Sequence, residues 1–393
     1  MTMQSTGVRV AYYVQDGKRR SEVAAGHEDI ARQIDSNGDK ILSDKELRQY
    51  LSRPDVDVLR DKDVVAVNET RVLNEYKTFL RGEAPANLAA YRSYEQMVAR
   101  LSELAKQYPN DAKLVSLGKT YEGRDIWALK ITAAIDAEHP DRPGTVITGL
   151  HHAREWATGE IAMGLAEDLL GKQGSDAKMR ERVKNAVTWI VPSANPDGYT
   201  YSRDSSSMWR KNRQPITRTA CDIEQGKPGG KDYGTGTDLN RNYDDGRPEH
   251  FYLYRHKGDT ACSTWDDGRA TSDSPGSDTY RGPRGASELE VQALQQLELD
   301  PKNNIKGVID FHSYGQMILY PWGYGDDTVD NKAEYLAVGK QMQAAMKSSF
   351  RLMQSSALYP TDGSSSDIQH VNGILAMVLE VGNSFQPSTR EVD

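Results

Sequence analysis

Two histidines and a glutamate directly follow a run of apolar residues. The run covers residues 145–150, and His151, His152 and Glu155 come immediately after it. A strand that ends this way would present both ligand types at the carboxyl edge of a sheet, where α/β proteins bind their ligands. Zinc accepts imidazole and carboxylate together, and two histidines with one glutamate leave a fourth position open for catalysis. Spacing alone leaves both His151 and His152 as candidate ligands.

A third ligand requires the end of another strand. A second apolar run, residues 305–311, is followed by His312. The two runs together predict a zinc site at neighbouring strand ends. Taken alone, however, a His-x-x-Glu pair is also compatible with two ordinary surface residues.

The elements that must position these residues can be read from hydrophobic periodicity. Near-continuous apolar runs predict strands at residues 126–131, 145–150, 187–191, 305–311 and 374–379, with helical patterns at 157–170, 288–299 and 333–350. Ser93 and Gln96 form a capping box before a further helix that ends at Pro109. Apolar strands separated by helices predict an α/β fold with a mixed, mostly parallel sheet flanked by helices.

The histidine motif is one of seven that occur in a fixed order. They are His152-Ala-Arg-Glu-Trp156, Asn195-Pro-Asp-Gly198, Trp209-Arg-Lys211, Asp238-Leu-Asn-Arg-Asn242, Thr279-Tyr-Arg-Gly282, His312-Ser-Tyr314 and a late strand that ends in Glu380. In this series the chain resembles the zinc metallocarboxypeptidases of the pancreatic carboxypeptidase A/B type, nearest the bacterial carboxypeptidase T branch. The resemblance covers residues 88–393 and implies hydrolysis of the C-terminal peptide bond of peptides and proteins.

The resemblance also assigns the metal site. His152, Glu155 and His312 match the family's zinc ligands, which leaves His151 as a neighbouring strand-end residue. Asp238 matches a carboxylate that accepts a proton from a ligand imidazole and thereby fixes its tautomer and orientation.

The remaining matches concern catalysis and substrate binding. Glu380 matches the general base, and Arg210 matches the cation that stabilises the oxyanion. Asn240 and Arg241 match the clamp on the terminal carboxylate of the substrate, for which a guanidinium has the right bidentate geometry. Tyr359 matches the mobile tyrosine that closes over the bound peptide.

Substrate preference depends on the residue that precedes Asp367. An acid there favours Lys or Arg in this family, and this chain has Ser366. We therefore expect neutral or hydrophobic C-terminal residues to be released, although the nearby Asp362 keeps a basic preference open. Two alternatives are an inactive peptide-binding scaffold fused to a calcium module and a carboxypeptidase that acts on cell-wall peptides.

Residues 1–87 have a different pattern, which predicts a small helical domain. Helical patterns cover residues 21–34, 43–51 and 63–80, and residues 82–87 read as a linker. Residues 35–46 fit a twelve-residue EF-hand loop with Lys40 in place of the usual glycine, and the alternative is a solvated acidic turn that binds no calcium. The predicted calcium ligands are Asp35, Asn37, Asp39, the carbonyl of Ile41, Ser43 and Glu46.

Composition excludes several classes of protein. The net charge of −8 over 393 residues argues against a nucleic-acid binder, and no apolar run is long enough to span a membrane. We expect a monomer that is secreted or periplasmic, with a cytoplasmic location left open because no signal peptide is visible. The resemblance implies a disulfide between Cys221 and Cys262 in an exported protein and two reduced thiols otherwise.

Overall fold

The computed structural model describes residues 91–256, 260, 262, 269–346 and 350–387, together with the backbone of five short strands before residue 91. It contains two compact units. One consists of Met1–Ala86 with Ser205–Ser207, and the other of Asn87–Asp204 with Met208–Asp393.

The first unit contains an antiparallel sheet with the strand order β3-β2-β1-β5-β4. Its strands are β1 (Arg9–Gln15), β2 (Lys18–Val23), β3 (Leu42–Ser43), β4 (Leu59–Asp61) and β5 (Val64–Ala66). The expected helices at 21–34 and 63–80 are therefore wrong where they overlap these strands, at residues 21–23 of β2 and residues 64–66 of β5. Gln15 of β1 pairs with Lys18 of β2, and the intervening Asp16-Gly17 is a strong hairpin signal that outweighed the local helical period.

Most of the proposed calcium loop lies outside the described residues. This applies to the predicted ligands Asp35, Asn37, Asp39, Ile41 and Glu46 and to residues 24–34 and 44–51 of the helices expected on either side. Ser43, the predicted ligand at position 9, lies in β3.

The second unit is built on an eight-stranded sheet with the order β12-β11-β13-β10-β8-β9-β7-β6. Its strands are β6 (Ala112–Lys119), β7 (Asp125–Ile131), β8 (Gly144–Thr148), β9 (Val187–Val191), β10 (Ile305–Ser313), β11 (Met317–Tyr320), β12 (Arg351–Gln354) and β13 (Leu375–Val381). The central strands β9, β8, β10 and β13 are parallel, and β11 pairs in parallel with β12. The other pairings are antiparallel, which confirms the mixed, mostly parallel sheet.

Helices cover both faces of this sheet. They are α1 (Tyr94–Gln107), α2 (Trp156–Lys172), α3 (Ala177–Asn185), α4 (Pro196–Asp204), α5 (Ala220–Glu224), α6 (Phe251–Tyr254), α7 (Leu289–Leu299), α8 (Lys332–Met346) and α9 (Ser365–Val371). α1 and α2 pack on Leu129 and Ile190 on one face, whereas α7 packs on Ala128 and Val191 on the other. Consecutive residues of β7 and β9 thus point into opposite cores, as the pleat of a strand requires.

Two further sequence expectations can be compared with the structure. Ser93 and Gln96 form the predicted capping box of α1. A disulfide joins Cys221, in α5, to Cys262, which confirms the predicted bridge. None of the described helices combines the length and the apolar character needed to cross a bilayer.

Two buried glutamates at the start of α7 make stability depend on pH. The amide nitrogen of Asn212 donates to Glu288 at 2.7 Å and to Glu290 at 3.2 Å. Burial, followed by the charge of Glu288, raises the pKa of Glu290 to about 8 from 4.5. Between these two values the folded state retains a proton that the unfolded chain releases, so the free energy of unfolding falls as pH rises.

We therefore expect Glu290→Gln, which does not titrate, to lose less stability than the wild type between pH 5 and pH 8. Between pH 5 and pH 8 the free energy of unfolding of the variant should rise relative to that of the wild type by up to about 3 kcal/mol, since one pKa unit corresponds to about 1.4 kcal/mol. Urea unfolding at both pH values measures this difference, with the exposed Glu334→Gln as control. A gap between variant and wild type that is the same at both pH values would contradict the assignment.

Candidate functional site

The carboxyl ends of three adjacent parallel strands bring the candidate residues together. β10 lies between β8 and β13, with Thr148 opposite Asp310 and His312 opposite Glu380 in the strand register. The segment that follows β8 carries His152 into the same region. The site therefore lies at the predicted edge of the sheet.

The turn from β8 into α2 has a tight local structure. Leu150 adopts a left-handed backbone conformation with a φ of 57°. A Cβ on Gly149 would lie 2.6 Å from the carbonyl oxygen of Thr158, so only glycine allows this close approach. Glu155 occupies the N-cap position of α2 but makes no side-chain cap bond. Its carboxylate is instead directed at the two histidines.

His152, Glu155 and His312 converge on one point. His152 Nδ1 lies 2.8 Å from Glu155 Oε1, and His312 Nδ1 lies 3.1 Å from both His152 Nδ1 and Glu155 Oε2. All three residues are buried. Two ring nitrogens that face each other across 3.1 Å need a proton or a cation between them, and the N, N, O donor set suits zinc with a free coordination position. The residues thus fit the metal that the sequence predicts.

The outer nitrogen of each imidazole faces a buried carboxylate. His152 Nε2 lies 3.2 Å from Asp238 Oδ1, and His312 Nε2 lies 2.9 Å from Asp310 Oδ2. Such partners fix the tautomer of a ligand histidine and leave its other nitrogen free to bind metal. Although burial opposes ionisation, nearby His152 and His312 lower the pKa of Glu155, so the carboxylate is charged at neutral pH.

Asp238 also holds the guanidinium of Arg210. Nε and a terminal nitrogen of Arg210 each lie 2.8 Å from Asp238 Oδ2. Although burial alone would lower it, Asp238 and Glu155 raise the pKa of Arg210. A hydrogen bond from the Ala153 backbone to the carbonyl of Arg210 ties this segment to the histidine turn. A permanent cation is thus fixed beside the histidine centre.

Glu380 lies opposite His312 on the neighbouring strand, and its carboxyl group is buried. Burial, opposed by His312 and assisted by Glu155, raises the pKa of Glu380 to about 7. A carboxyl group with a pKa near the working pH can both accept and return a proton. Its position and environment suit a general base.

Asn240 and Arg241 lie in the short helical segment that follows Asp238. Asn240 Oδ1 accepts a hydrogen bond from the Ser365 backbone at 2.9 Å, and its amide nitrogen lies 3.3 Å from His312 Nε2. The buried Arg241 donates to the carbonyls of Ala270 and Asn240. Since both acceptors are neutral, these bonds orient the guanidinium without cancelling its charge.

The remaining predicted residues lie in the segment that enters α9. Tyr359 is partly buried and close enough to Arg210 to contribute to its raised pKa. Ser366 is buried in the first turn of α9. Asp362 is fully buried and lies 3.1 Å from Arg269 and 3.4 Å from Arg281.

Asp310 and Tyr243 were not predicted to take part in the site, and the resemblance had left His151 only as a neighbouring strand-end residue. His151 Nδ1 lies 2.9 Å from Asp310 Oδ1, and its Nε2 lies 2.7 Å from the hydroxyl of Tyr243. The position of Asp310, two residues before His312, could have predicted its contact with that histidine, because alternate residues of a strand share a face. Tyr243 gave no such signal, because it is distant in sequence and follows the Asp238–Asn242 motif.

A second group of possible metal ligands, made of His151, Asp310 and His312, shares one histidine with the first. Here the carboxylate of Asp310 lies between the two rings at hydrogen-bond distance from each. Protons on the two imidazoles satisfy this arrangement without a cation. The geometry therefore favours the group with Glu155 as the metal centre.

A family model for zinc carboxypeptidases matches residues 97–392. The metallocarboxypeptidase A of Trichophyton tonsurans is 31% identical over 261 residues, which are 65% of this chain and 53% of that protein. The zinc carboxypeptidase A 1 of Drosophila melanogaster is 29% identical over 338 residues, which are 84% of this chain and 67% of that protein. This chain thus spans about half the length of the first of these relatives.

Solved structures show the same fold. The carboxypeptidase A of Helicoverpa armigera superposes with a TM-score of 0.64 at 22% identity, covering 97% of this chain and 90% of that one. Thrombin activatable fibrinolysis inhibitor also gives a TM-score of 0.64, at 20% identity and with 86% of each chain covered.

Proposed function

Because the chain belongs to the zinc carboxypeptidase family, we propose that it hydrolyses the C-terminal peptide bond of peptides and proteins in a zinc-dependent reaction. The observation that carries this proposal is the convergence of His152, Glu155 and His312 at one sheet edge, beside Glu380 and Arg210. These side chains supply the metal ligands, the base and the cation that the reaction needs.

His152 and His312, each through Nδ1, and the carboxylate of Glu155 would hold the zinc ion. When bound there, zinc supplies a Lewis acid that polarises a peptide carbonyl and lowers the pKa of water. Asp238 Oδ1 lies 3.2 Å from His152 Nε2, and its charge favours the orientation of His152 that turns Nδ1 towards the metal.

Glu380 takes a proton from the attacking water and returns it to the nitrogen of the leaving amino acid. The pKa of Glu380 near 7 suits both transfers, because the carboxylate can accept a proton and then return it. Arg210 stabilises the negative charge that develops on the carbonyl oxygen. Asp238 holds its guanidinium before substrate arrives, so little reorganisation is needed during the reaction.

Recognition of the free carboxylate falls to Asn240 and Arg241. The guanidinium of Arg241 is oriented by neutral carbonyls and keeps its charge for the substrate. The carbonyl oxygen of Asn240 is occupied by the Ser365 backbone, which fixes the direction of its amide nitrogen. Tyr359, near Arg210, would close over the bound peptide.

The released residue is proposed to be neutral or hydrophobic. Ser366 provides no carboxylate, and Asp362 is already paired with Arg269 and Arg281. A lysine or arginine side chain of a substrate would need a carboxylate in the pocket that is not already paired with another cation, since an unpaired buried charge is unfavourable. The two arginines argue against the basic preference that the sequence had left open.

The test is release of the terminal residue from blocked dipeptides that end in Phe, Leu, Lys, Arg or Glu, with and without a zinc chelator. We expect turnover of the Phe and Leu substrates that the chelator abolishes and added zinc restores. Zinc binding without any turnover would favour the inactive scaffold. Activity confined to cell-wall peptides would favour that alternative, and equal turnover of Lys and Phe substrates would contradict the proposed pocket.

Three finer proposals rest on narrower grounds. The seven ordered motifs support placement near the pancreatic A/B type and the carboxypeptidase T branch. The disulfide supports a secreted or periplasmic location, because such bonds persist in oxidising compartments. Calcium binding by residues 35–46 stays a prediction from the sequence, as does the assignment of an EF-hand-like domain to the start of the chain.

A further inference from the structure

The carboxylate of Asp310 is enclosed by four hydrogen-bond donors. Its Oδ2 lies 2.9 Å from His312 Nε2 and accepts from Ser365 Oγ at 3.3 Å. Its Oδ1 lies 2.9 Å from His151 Nδ1 and accepts from Thr148 Oγ1 at 2.7 Å. An ionised carboxylate can accept about four hydrogen bonds, so these donors fix the side chain completely.

A direction of hydrogen bonding follows from this arrangement. Because Asp310 accepts from both imidazoles, His312 carries its proton on Nε2 and His151 carries its proton on Nδ1. The Nδ1 lone pair of His312 therefore points at the metal centre, and His151 Nε2 accepts from the hydroxyl of Tyr243 at 2.7 Å. The chain from Tyr243 through His151 to Asp310 is continuous and lies in the interior.

We infer that Asp310 is a positioning residue that sets the zinc affinity of His312, and that His151 and Tyr243 hold Asp310 in place for this task. The inference rests on the proposed zinc site and adds residues to it. Asp310 acts on the metal only through the imidazole, by fixing the ring and increasing the basicity of its free nitrogen.

The two carboxylates that support the ligand histidines differ in their surroundings. Asp238 shares its charge with the guanidinium of Arg210, which weakens it as an acceptor for His152. The contacts of Asp310 within the described residues are imidazoles and hydroxyls. Asp310 should thus contribute more to metal affinity, whereas Asp238 should contribute more to the turnover rate through Arg210.

The test compares zinc dissociation constants of the full chain, measured by competition with a chromophoric chelator. Asp310→Asn is expected to weaken zinc binding by roughly 10-fold to 100-fold. It should also alter the visible absorption spectrum of the cobalt-substituted protein. His151→Leu should weaken binding as well, whereas His151→Asn, whose amide can replace the Nδ1 donor, should restore much of the affinity.

Asp245→Asn is the matched control. Asp245 and His250 form another carboxylate–imidazole pair, with 2.7 Å between Oδ2 and Nδ1, but they lie outside the metal centre. This variant should keep the wild-type zinc affinity even where it lowers stability. Circular dichroism of each variant checks folding, and the two His151 variants decide the question if Asp310→Asn does not fold.

The outcomes separate this inference from the proposed function. Wild-type protein that binds no zinc would defeat the proposed function itself. Wild-type protein that binds zinc while Asp310→Asn binds it equally well, with an unchanged cobalt spectrum, would overturn only the positioning role. Two zinc ions per wild-type chain, one of them lost in His151→Leu, would make His151 a ligand and would also overturn the inference.

Discussion

Replacing Glu380 with glutamine is expected to lower kcat by about 100-fold to 10,000-fold, the range that general acid–base catalysis contributes. Glutamine has nearly the same shape but cannot take a proton from water. Glu380 lies opposite His312 in the register of β10 and β13 and is the only acidic residue of β13. Steady-state hydrolysis of a blocked dipeptide that ends in Phe measures the change.

The control for this variant is Glu334→Gln, an exposed position in α8 that should keep full activity. Zinc content must be measured in both proteins, and we expect Glu380→Gln to bind zinc like the wild type because Glu380 is not among the three converging ligands. A zinc-loaded Glu380→Gln protein with near-normal kcat would mean that the proton is taken by another group.

The metal centre could be predicted from the sequence because its residues follow strongly apolar runs. β8 and β10 are mostly apolar strands of the central sheet, and a polar residue at the end of such a run is conspicuous. The order of the strands in the sheet could not be predicted in the same way. Parallel neighbours are joined by long connections, so proximity in the sequence does not indicate which strands pair. Only the fold shows that β10 lies between β8 and β13 and thereby brings His312 next to Glu380.

The polar support of the centre could be predicted only in part. The motif that contains Asp238 indicated one carboxylate, but its second contact, with Arg210, depends on how two separate loops pack. Asp310 precedes His312 by two residues, but an acid within an apolar run is equally typical of an ordinary strand residue. Tyr243 reaches His151 across 92 positions, a relation that no local pattern contains.

The start of the chain shows how a local period can mislead. Residues 21–34 have apolar spacing that fits a helix, but Ser21 to Val23 are paired with β1 in an antiparallel hairpin. Helix propensity is a weak preference that pairing with a neighbouring strand can override. The Asp16-Gly17 dipeptide carried the better signal, because two-residue hairpins depend strongly on that chemistry.

The second large effect is expected for Arg210→Met, which should lower kcat by about 100-fold to 1,000-fold, as is typical when an oxyanion donor is lost. The guanidinium of Arg210 is buried and held by Asp238, so its charge is in place where negative charge develops in the transition state. Methionine retains much of the side-chain volume and removes only the charge and the donors. KM should change little, because the interaction strengthens mainly as the reaction proceeds.

Two comparison variants make this assignment specific. Arg213→Met, three residues away, removes a guanidinium that stacks on Tyr201 and should leave kcat unchanged. Arg241→Met should instead raise KM strongly, because a clamp on the terminal carboxylate already acts in the ground state. If Arg210→Met raised KM and left kcat intact, Arg210 would be a binding residue, and stabilisation of the oxyanion would have to come from the metal centre alone. The division of the two arginines between kcat and KM therefore tests whether this site separates recognition of the chain end from the chemistry beside it.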